Sequence, residues 1–289
     1  MALTAEPGGH MSEPQVLLVT DRAHEDGEPG HGVLDQALAE RGIRSRWAVW
    51  DDPFVDWSEA KIVAVRSTWD YDSRLQDFLG WAGSIGPSLL HGVDVFRWNT
   101  DKSYLLDLVQ LSNVPVVPTA LADNLVNLRA AIGRFAPAVV KPRVGAGGRG
   151  IVVVYDSETW LPVDQGPWVV QPLVDTVMTT GEESVFVING HPVSQLRKVA
   201  GAQDFRVHEE YGGTSYNTPL MHDTALLAAE AVAATTEILG CEIVYARVDM
   251  MRFDGRLVVS EVEVTEPGLY LDLMPENAAL FADAIAARL

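Results

Sequence analysis

Apolar residues run almost unbroken through Gln15–Thr20, Ile43–Val49 and Ile62–Arg66, and short runs of this kind predict strands buried on both faces. Between the first two, Val33, Leu34, Ala37 and Leu38 fall at helical spacing, and Gly42 ends the helix. Asp21–His31 is polar and rich in Gly and Pro, hence a loop, and Leu75–Ala82 predicts a helix with an aromatic face. This β-α-β-α order predicts a parallel sheet. Downstream, the pattern predicts helices at Asp101–Leu111 and Asp123–Arg134. Strands are predicted at Val114–Thr119, Ala138–Lys141, Ile151–Tyr155 and Trp168–Gln171. The last third is antiparallel in character. Ser184–Ile188 and Val193–Val199 flank Asn189-Gly190, while Glu242–Phe253 and Arg256–Val264 flank Asp254-Gly255; both dipeptides are hairpin signals. Helices at Leu220–Leu239 and Pro275–Leu289 complete an α/β fold that becomes α+β towards its C-terminus.

The second hairpin carries acids. Glu261 and Glu263 share a face by strand alternation, and Asp249 lies on the other arm. A two-residue loop pairing Phe253 with Arg256 puts Asp249 on the opposite face. A three-residue loop with Gly255 left-handed brings all three carboxylates together. The apolar positions favour the second, because Val248 and Met250 then share a face with Val258, Val262 and Val264. Three facing carboxylates need a cation, and oxygen-only ligands suit Mg²⁺; a solvated acidic face is the plain alternative.

Charge narrows the partners. Forty Asp and Glu against 21 Lys and Arg give a formal charge of −19, which disfavours nucleic acid and anionic membranes. The few cations therefore stand out. A single cysteine, Cys241, allows no internal disulfide. No apolar run reaches the ~20 residues of a membrane span, and residues 1–13 read as a disordered tail without a signal-peptide core. A cytoplasmic location is the resulting expectation.

Gly145-Ala146-Gly147-Gly148-Arg149-Gly150 sits between two apolar strands, where glycines let backbone N–H groups approach phosphate oxygens or simply form a flexible turn. It is neither a P-loop nor a dinucleotide fingerprint. Lys141, near the end of the preceding strand, needs an anionic partner if buried. Trp168–Thr176 leaves a strand with Gln171 placed to read an adenine edge, and Glu182 or Glu183 opens the next strand within reach of a ribose. Lys102, Arg197, Lys198 and Arg206 are further phosphate-neutralising candidates, with surface salt bridges the alternative. Lys102 opens a helix, where a nearby anion would explain a cation. Arg66-Ser67-Thr68-Trp69-Asp70-Tyr71 ends a predicted parallel strand, where ligands collect in open α/β sheets. Arg66 is suited to gripping a carboxylate, and Trp69 and Tyr71 to walling a pocket or filling core. The histidines show no HExxH spacing, and no GxSxG occurs.

In this order, RSTWDY, WNTDK, VVKP, GAGGRG, YARVDM and EVEVTEP resemble the ATP-grasp superfamily, in its glutathione synthetase and RimK-like branch, and most of all the cyclo-ligases of D-cycloserine biosynthesis. The resemblance spans Val16–Leu289. It implies a pre-ATP-grasp substrate lobe (14–100), a central ATP-grasp lobe (101–171) and a C-terminal ATP-grasp lobe (172–289), with ATP and Mg²⁺ between the last two. By position it implies that Lys102 and Lys141 contact ATP and that Gly145–Gly150 closes over the phosphates. Gln171 and Leu173 would face adenine, and Glu182 or Glu183 ribose. Arg206 would steady the transferred phosphoryl group, Asp249, Glu261 and Glu263 would hold metal, and Arg66 would bind substrate; Arg197 is assigned to phosphate or substrate. One departure is Glu263, where the family usually has Asn; the extra charge should tighten Mg²⁺. The implied reaction joins the carboxylate of an amino-acid-like molecule to an amine through an acyl phosphate, within one molecule or between two, in specialised metabolism. A phosphotransferase or a non-catalytic nucleotide-binding regulator on the same fold are the alternatives. The resemblance also implies a homodimer.

Overall fold

The computed structural model describes residues 13–160, 162–163 and 165–289; the expected tail lies almost wholly outside them. The N-terminal sheet is parallel, in the order β2 (Ser45–Val49), β1 (Val16–Thr20), β3 (Ile62–Ser67). Every residue of β1 is buried. Its alternation feeds two cores: Leu17 and Val19 enter one, Val16 and Leu18 the other. Around it lie α1 (His31–Glu40), α2 (Leu75–Ile85) and α3 (Val93–Asn99).

After α4 (Tyr104–Leu111), a second sheet is antiparallel throughout, ordered β4 (Ala120–Ala122), β7 (Trp168–Pro172), β5 (Ala138–Pro142), β6 (Val152–Val154). With α5 (Leu125–Phe135) it encloses its own core of Leu128, Ile132, Val140, Val154, Trp168 and Val170. The third sheet runs β10 (Thr214–Thr218), β9 (His191–Val199), β8 (Glu182–Ile188), β11 (Tyr245–Phe253), β12 (Arg256–Glu263). The helices α6 (His222–Leu239) and α7 (Glu276–Ala286) complete the chain.

The cores do not follow the expected lobe limits. Leu227 and Ala231 of α6 share a core with Val63 and Val65 of β3 and with Tyr104, Leu105 and Leu108 of α4. Phe281 and Ile285 of α7 share another with Leu34 and Leu38 of α1. The first and third sheets thus form one body. Residues 104–111, expected in the central lobe, belong to that body, and the second sheet stands on a core of its own.

Three local readings are corrected. Val114–Thr119 is not a strand; one bridge joins Val116 to Val259, because Pro115 and Pro118 lack the N–H groups a ladder needs. The helix α3 and the polar edge strand β10 (TSYNT) carry too little apolar periodicity to have been read. Most telling is the second hairpin. Asp254 and Gly255 both have positive φ, 49° and 76°, so the turn is the two-residue kind that pairs Phe253 with Arg256. The acids nevertheless meet, because the register shifts between Asp249 and Met250: Met250 opposes Val259, Asp249 opposes Glu261, and Ser260 is the extra residue of a bulge. Val259, not Val258, therefore joins Met250 in the core, while Val258 packs with Val117 and Val174. No helix among the described residues is long and apolar enough to cross a membrane.

Candidate active site

One face of the third sheet gathers the acids. Asp249, Glu261 and Glu263 each present an oxygen within 4.8 Å of the others. Asp249 accepts from Ser184 Oγ (2.6 Å), from Lys198 Nζ (3.1 Å) and from Arg247 Nε and Nη2 (both 2.9 Å). Arg247 also pairs with Glu263. Lys102 Nζ reaches Glu261 Oε1 at 2.5 Å and Gly145 O at 3.1 Å, so the anion beside Lys102 is a carboxylate of the protein itself. Lys198 further binds Glu182 Oε1 at 3.1 Å, and Ser260 Oγ donates to Glu182 Oε2 at 3.2 Å.

Burial works against ionisation of all these acids, and their neighbours decide the outcome. For Asp249, Arg247 and Lys198 overcome burial and hold the carboxyl far below the usual range. For Glu261, Lys102 and Lys141 overcome it. Glu263 goes the other way: burial, with Asp249 and Glu261 close by, outweighs Arg247 and pushes it up to about 7. Glu266, just beyond β12, is pushed up to about 8 by burial and then by Glu263. The site therefore holds more carboxylate than its cations neutralise. Oxygen ligands in excess of positive charge suit a hard divalent cation such as Mg²⁺.

The expected cations divide. Lys141 lies in β5, and burial lowers its ammonium despite the field of Glu261; Nζ has no hydrogen-bond or ion-pair partner among the described residues, as suits a group awaiting an anionic ligand. Lys198 faces the acids, whereas Arg197, one residue earlier, points through the sheet to the opposite face. There it meets Glu183 at 2.6 Å, on the side that α6 covers. Both Arg197 and Glu183 are thus removed from the acid face, and Glu182 is the member of its pair that remains. Strand alternation carried this signal, since Lys198 opposes Glu182 and Arg197 opposes Glu183.

Arg66 is also corrected. It is fully enclosed, donates to Glu28 Oε1 (2.7 Å) and Pro267 O (3.0 Å), and lies over the rings of Tyr245 and Phe281. It cannot reach a substrate. Ser67 is equally enclosed and bonds Thr20, and Asp70 pairs with Arg74 and with Trp50 Nε1. The rest of that turn does approach the acids. Burial and then the fields of Glu266, Glu261 and Glu263 raise the Tyr71 hydroxyl well above its usual value. Trp69 Nε1 donates to Glu266 O at 3.3 Å, and Thr68 Oγ1 is buried without a partner.

The glycine loop bridges two bodies. Arg149 binds Asp72 (2.8 Å) and Trp69 O (2.6 Å), and Ala146 N donates to Asp72 Oδ2 at 3.2 Å. On its other side Gly148 meets the segment that holds Arg206. A Cβ there, at φ 70°, would sit 2.8 Å from His208 Nδ1. Arg206 donates to Gly148 O at 3.4 Å, is clamped by Asp204 and lies 3.3 Å over the Tyr211 ring. Gln171 is buried with Nε2 on Thr119 Oγ1 at 3.0 Å, and Leu173 N donates to Pro137 O at 2.8 Å. Beyond the expected set, Arg247, Ser184, His208 and Glu266 belong to this region. Arg247 was readable as the residue two before Asp249 on one strand face.

Comparison with known proteins identifies the family. Residues 16–91 match the family of the D-cycloserine synthetase DcsG N-terminal domain, and residues 105–275 match the prokaryotic glutathione synthetase ATP-grasp domain. The cycloserine biosynthesis protein DcsG of Streptomyces lavendulae is 31% identical over 296 residues, covering 95% of this chain and 98% of that protein. The glutathione synthetase of Prochlorococcus marinus (strain MIT 9313) is 26% identical over 182 residues, 60% of this chain and 56% of that one. The crystal structure of D-cycloserine synthetase DcsG superposes with a TM-score of 0.84 at 29% identity, covering 94% of this chain and 99% of that one. D-alanine–D-alanine ligase from Bacillus anthracis shares the fold, with a TM-score of 0.65 at 18% identity over 94% of this chain and 96% of the other. The chain belongs to the ATP-grasp carboxylate–amine ligases, and it joins a DcsG-type N-terminal domain to a glutathione-synthetase-type ATP-grasp domain.

Proposed function

We propose that this ligase uses ATP to close an amide within one small amino-acid-derived molecule, giving a cyclic product in specialised metabolism. Full-length similarity to a cycloserine biosynthesis protein, N-terminal domain included, supports ring closure over the joining of two molecules. The observation that carries the chemistry is the convergence of the Asp249, Glu261 and Glu263 oxygens within 4.8 Å. In this reading those three hold Mg²⁺, which when bound neutralises phosphate charge as it develops. Lys141 and Lys102 bind the polyphosphate, with Lys102 exchanging its hold on Glu261 for a shared contact. Glu182 meets the ribose, and the strand exit at Gln171–Leu173 meets the adenine. Arg206, beside Gly148, steadies the transferred group.

The substrate carboxylate attacks the γ-phosphorus, ADP departs, and an amine attacks the acyl carbon and expels phosphate. The reaction needs no nucleophile from the protein. Its contribution is orientation, charge and exclusion of water under the loop Gly145–Gly150. A homodimer and a cytoplasmic setting fit such an enzyme.

The test is ADP release across a panel of amino acids and their O-substituted derivatives, with mass spectrometry of the products. A product lighter than its substrate by the elements of water, the oxygen leaving on phosphate, indicates ring closure; a joined pair indicates intermolecular ligation. Arg206→Ala, Glu261→Ala and Lys141→Ala should each nearly abolish product-coupled ADP release. Full activity in any two of them overturns the residue assignment.

A further inference from the structure

Glu266 is an acid of this site whose side chain meets no protein donor among the described residues. It is only 7% exposed, yet its side chain accepts no hydrogen bond and joins no ion pair among the described residues. The unpartnered polar atoms nearby, Thr68 Oγ1 and Arg66 Nη1, are sealed from solvent; the Glu266 oxygens are not among those sealed atoms. Nor is the residue loosely held. Trp69 Nε1 binds its carbonyl at 3.3 Å. Before it, Thr265 N and Oγ1 donate to Asn99 Oδ1 at 3.1 and 3.0 Å. After it, Arg66 Nη2 donates to Pro267 O at 3.0 Å and Leu269 N to Glu28 Oε2 at 2.9 Å.

A nearly buried carboxylate held this firmly without a donor is costly. The neighbouring cations are already engaged: Arg247 by Asp249 and Glu263, Lys102 by Glu261. A ligand bearing a positively charged donor would supply both the missing hydrogen bond and the missing charge. The group at the matching end of the N-terminal sheet, Arg66, is closed off behind Glu28, so β3 offers no arginine to grip a substrate carboxylate.

Building on the ligase reading above, we propose that Glu266 receives an ammonium group of the substrate, beside Trp69 and next to the three metal-binding acids. The substrate is then a free amino acid or amino-acid derivative with an unblocked amine, oriented through that amine rather than through an arginine clamp. Glu266 is a specificity-determining residue in this account.

Calorimetric titration tests this. The L-amino acids and their D-enantiomers are titrated into the enzyme with Mg²⁺ and a non-hydrolysable ATP analogue. The tightest binder is then compared with its N-acetyl form, in the wild type and in Glu266→Gln. A charge-assisted bond of this kind predicts a loss of about tenfold or more in Glu266→Gln. N-acetylation should weaken binding by a similar factor in the wild type and by little in the variant; the wild-type comparison alone decides if the variant does not fold. The proposal is overturned if Glu266→Gln binds as tightly as the wild type, or if the N-acetyl form binds the wild type as well as the free amine. It is overturned too if the ATP analogue binds and no free amino acid does. If the ATP analogue itself does not bind, the ligase reading falls as well, which separates the two failures.

Discussion

Arg66 Nη2 lies 2.7 Å from Glu28 Oε1, with both side chains shut away from solvent. The guanidinium rests between Tyr245 of β11 and Phe281 of α7, so an ion pair of the N-terminal sheet is built into its junction with the third. Removing one partner leaves an uncompensated buried charge. Glu28→Gln is therefore expected to lower stability by about 3–5 kcal/mol. The KM for ATP of the protein that remains folded should stay within about twofold, as for uniform binding left intact. Urea unfolding and initial rates check both parts. A stability loss below about 1 kcal/mol, typical of exposed pairs, would show that the pair is not the buried joint described here.

The acids face one another because Ser260 is bulged out of the ladder and does not pair with Asp249. Straight pairing from Phe253–Arg256 would set Ser260 opposite Asp249 and turn Glu261 towards the core. The bulge at Ser260 restores the pairing of Asp249 with Glu261. Deleting Ser260 removes the extra residue but keeps Met250 opposite Val259 and Asp249 opposite Glu261. Such a deletion is expected to keep all three carboxylates on one face. It should cost about 1–2 kcal/mol through the lost hydrogen bond to Glu182 and still allow Mg²⁺ with ATP to raise the melting temperature. A folded deletion variant whose melting temperature ignores Mg²⁺ and ATP contradicts this register.

Much of this was legible before any coordinates. Runs such as Gln15–Thr20 and the Asp254-Gly255 turn are local signals, and apolar period fixes face and element type. The convergence of the three acids was foreseen, but for the wrong reason. A bulge leaves no mark in apolar alternation beyond a displaced valine, so an extra turn residue looked equally consistent with the pattern. Arg66 failed for a different reason. Its partner Glu28 is 38 residues away in a polar loop, and no periodic signal links the two. Arg197 was separable from Lys198 by alternation alone. Glu266 was invisible because its isolation is a property of its surroundings.

The loop Gly145–Gly150 is tied to the N-terminal body through Asp72, which accepts from Arg149 Nη2 at 2.8 Å and from Ala146 N at 3.2 Å. A partly exposed pair contributes little to global stability, but here it links the second sheet's loop to the turn that carries Trp69 and Tyr71. Closure of such a loop keeps water from a reactive acyl group. Asp72→Asn is expected to leave the melting temperature nearly unchanged while raising the ratio of ADP released to product formed. Quantifying both in the same reaction checks it; wild-type coupling in Asp72→Asn and in Arg149→Ala would remove the loop tie from the mechanism.

His91 gives the fold a pH dependence that can be assigned to one ring. Its Nε2 accepts from Val244 N at 2.9 Å, so its Nδ1 carries the proton and donates to Val264 O at 2.8 Å. The ring packs on Tyr245 with centroids 4.8 Å apart. Burial pushes it down to about 4 from 6.5, against the pull of the Val264 carbonyl. A protonated ring would also lose its acceptor for Val244. Below pH 6.5 the unfolded chain takes up a proton that the folded ring refuses until about 4. Stability therefore falls as pH drops through that window, by about 3 kcal/mol in all. His91→Gln removes the titration and should be less stable than the wild type at pH 7. The gap between the two should narrow steadily from pH 6.5 towards pH 4. Urea unfolding at several pH values measures it, and a gap that stays constant across the window would mean that His91 takes up its proton equally well in the folded and unfolded chain.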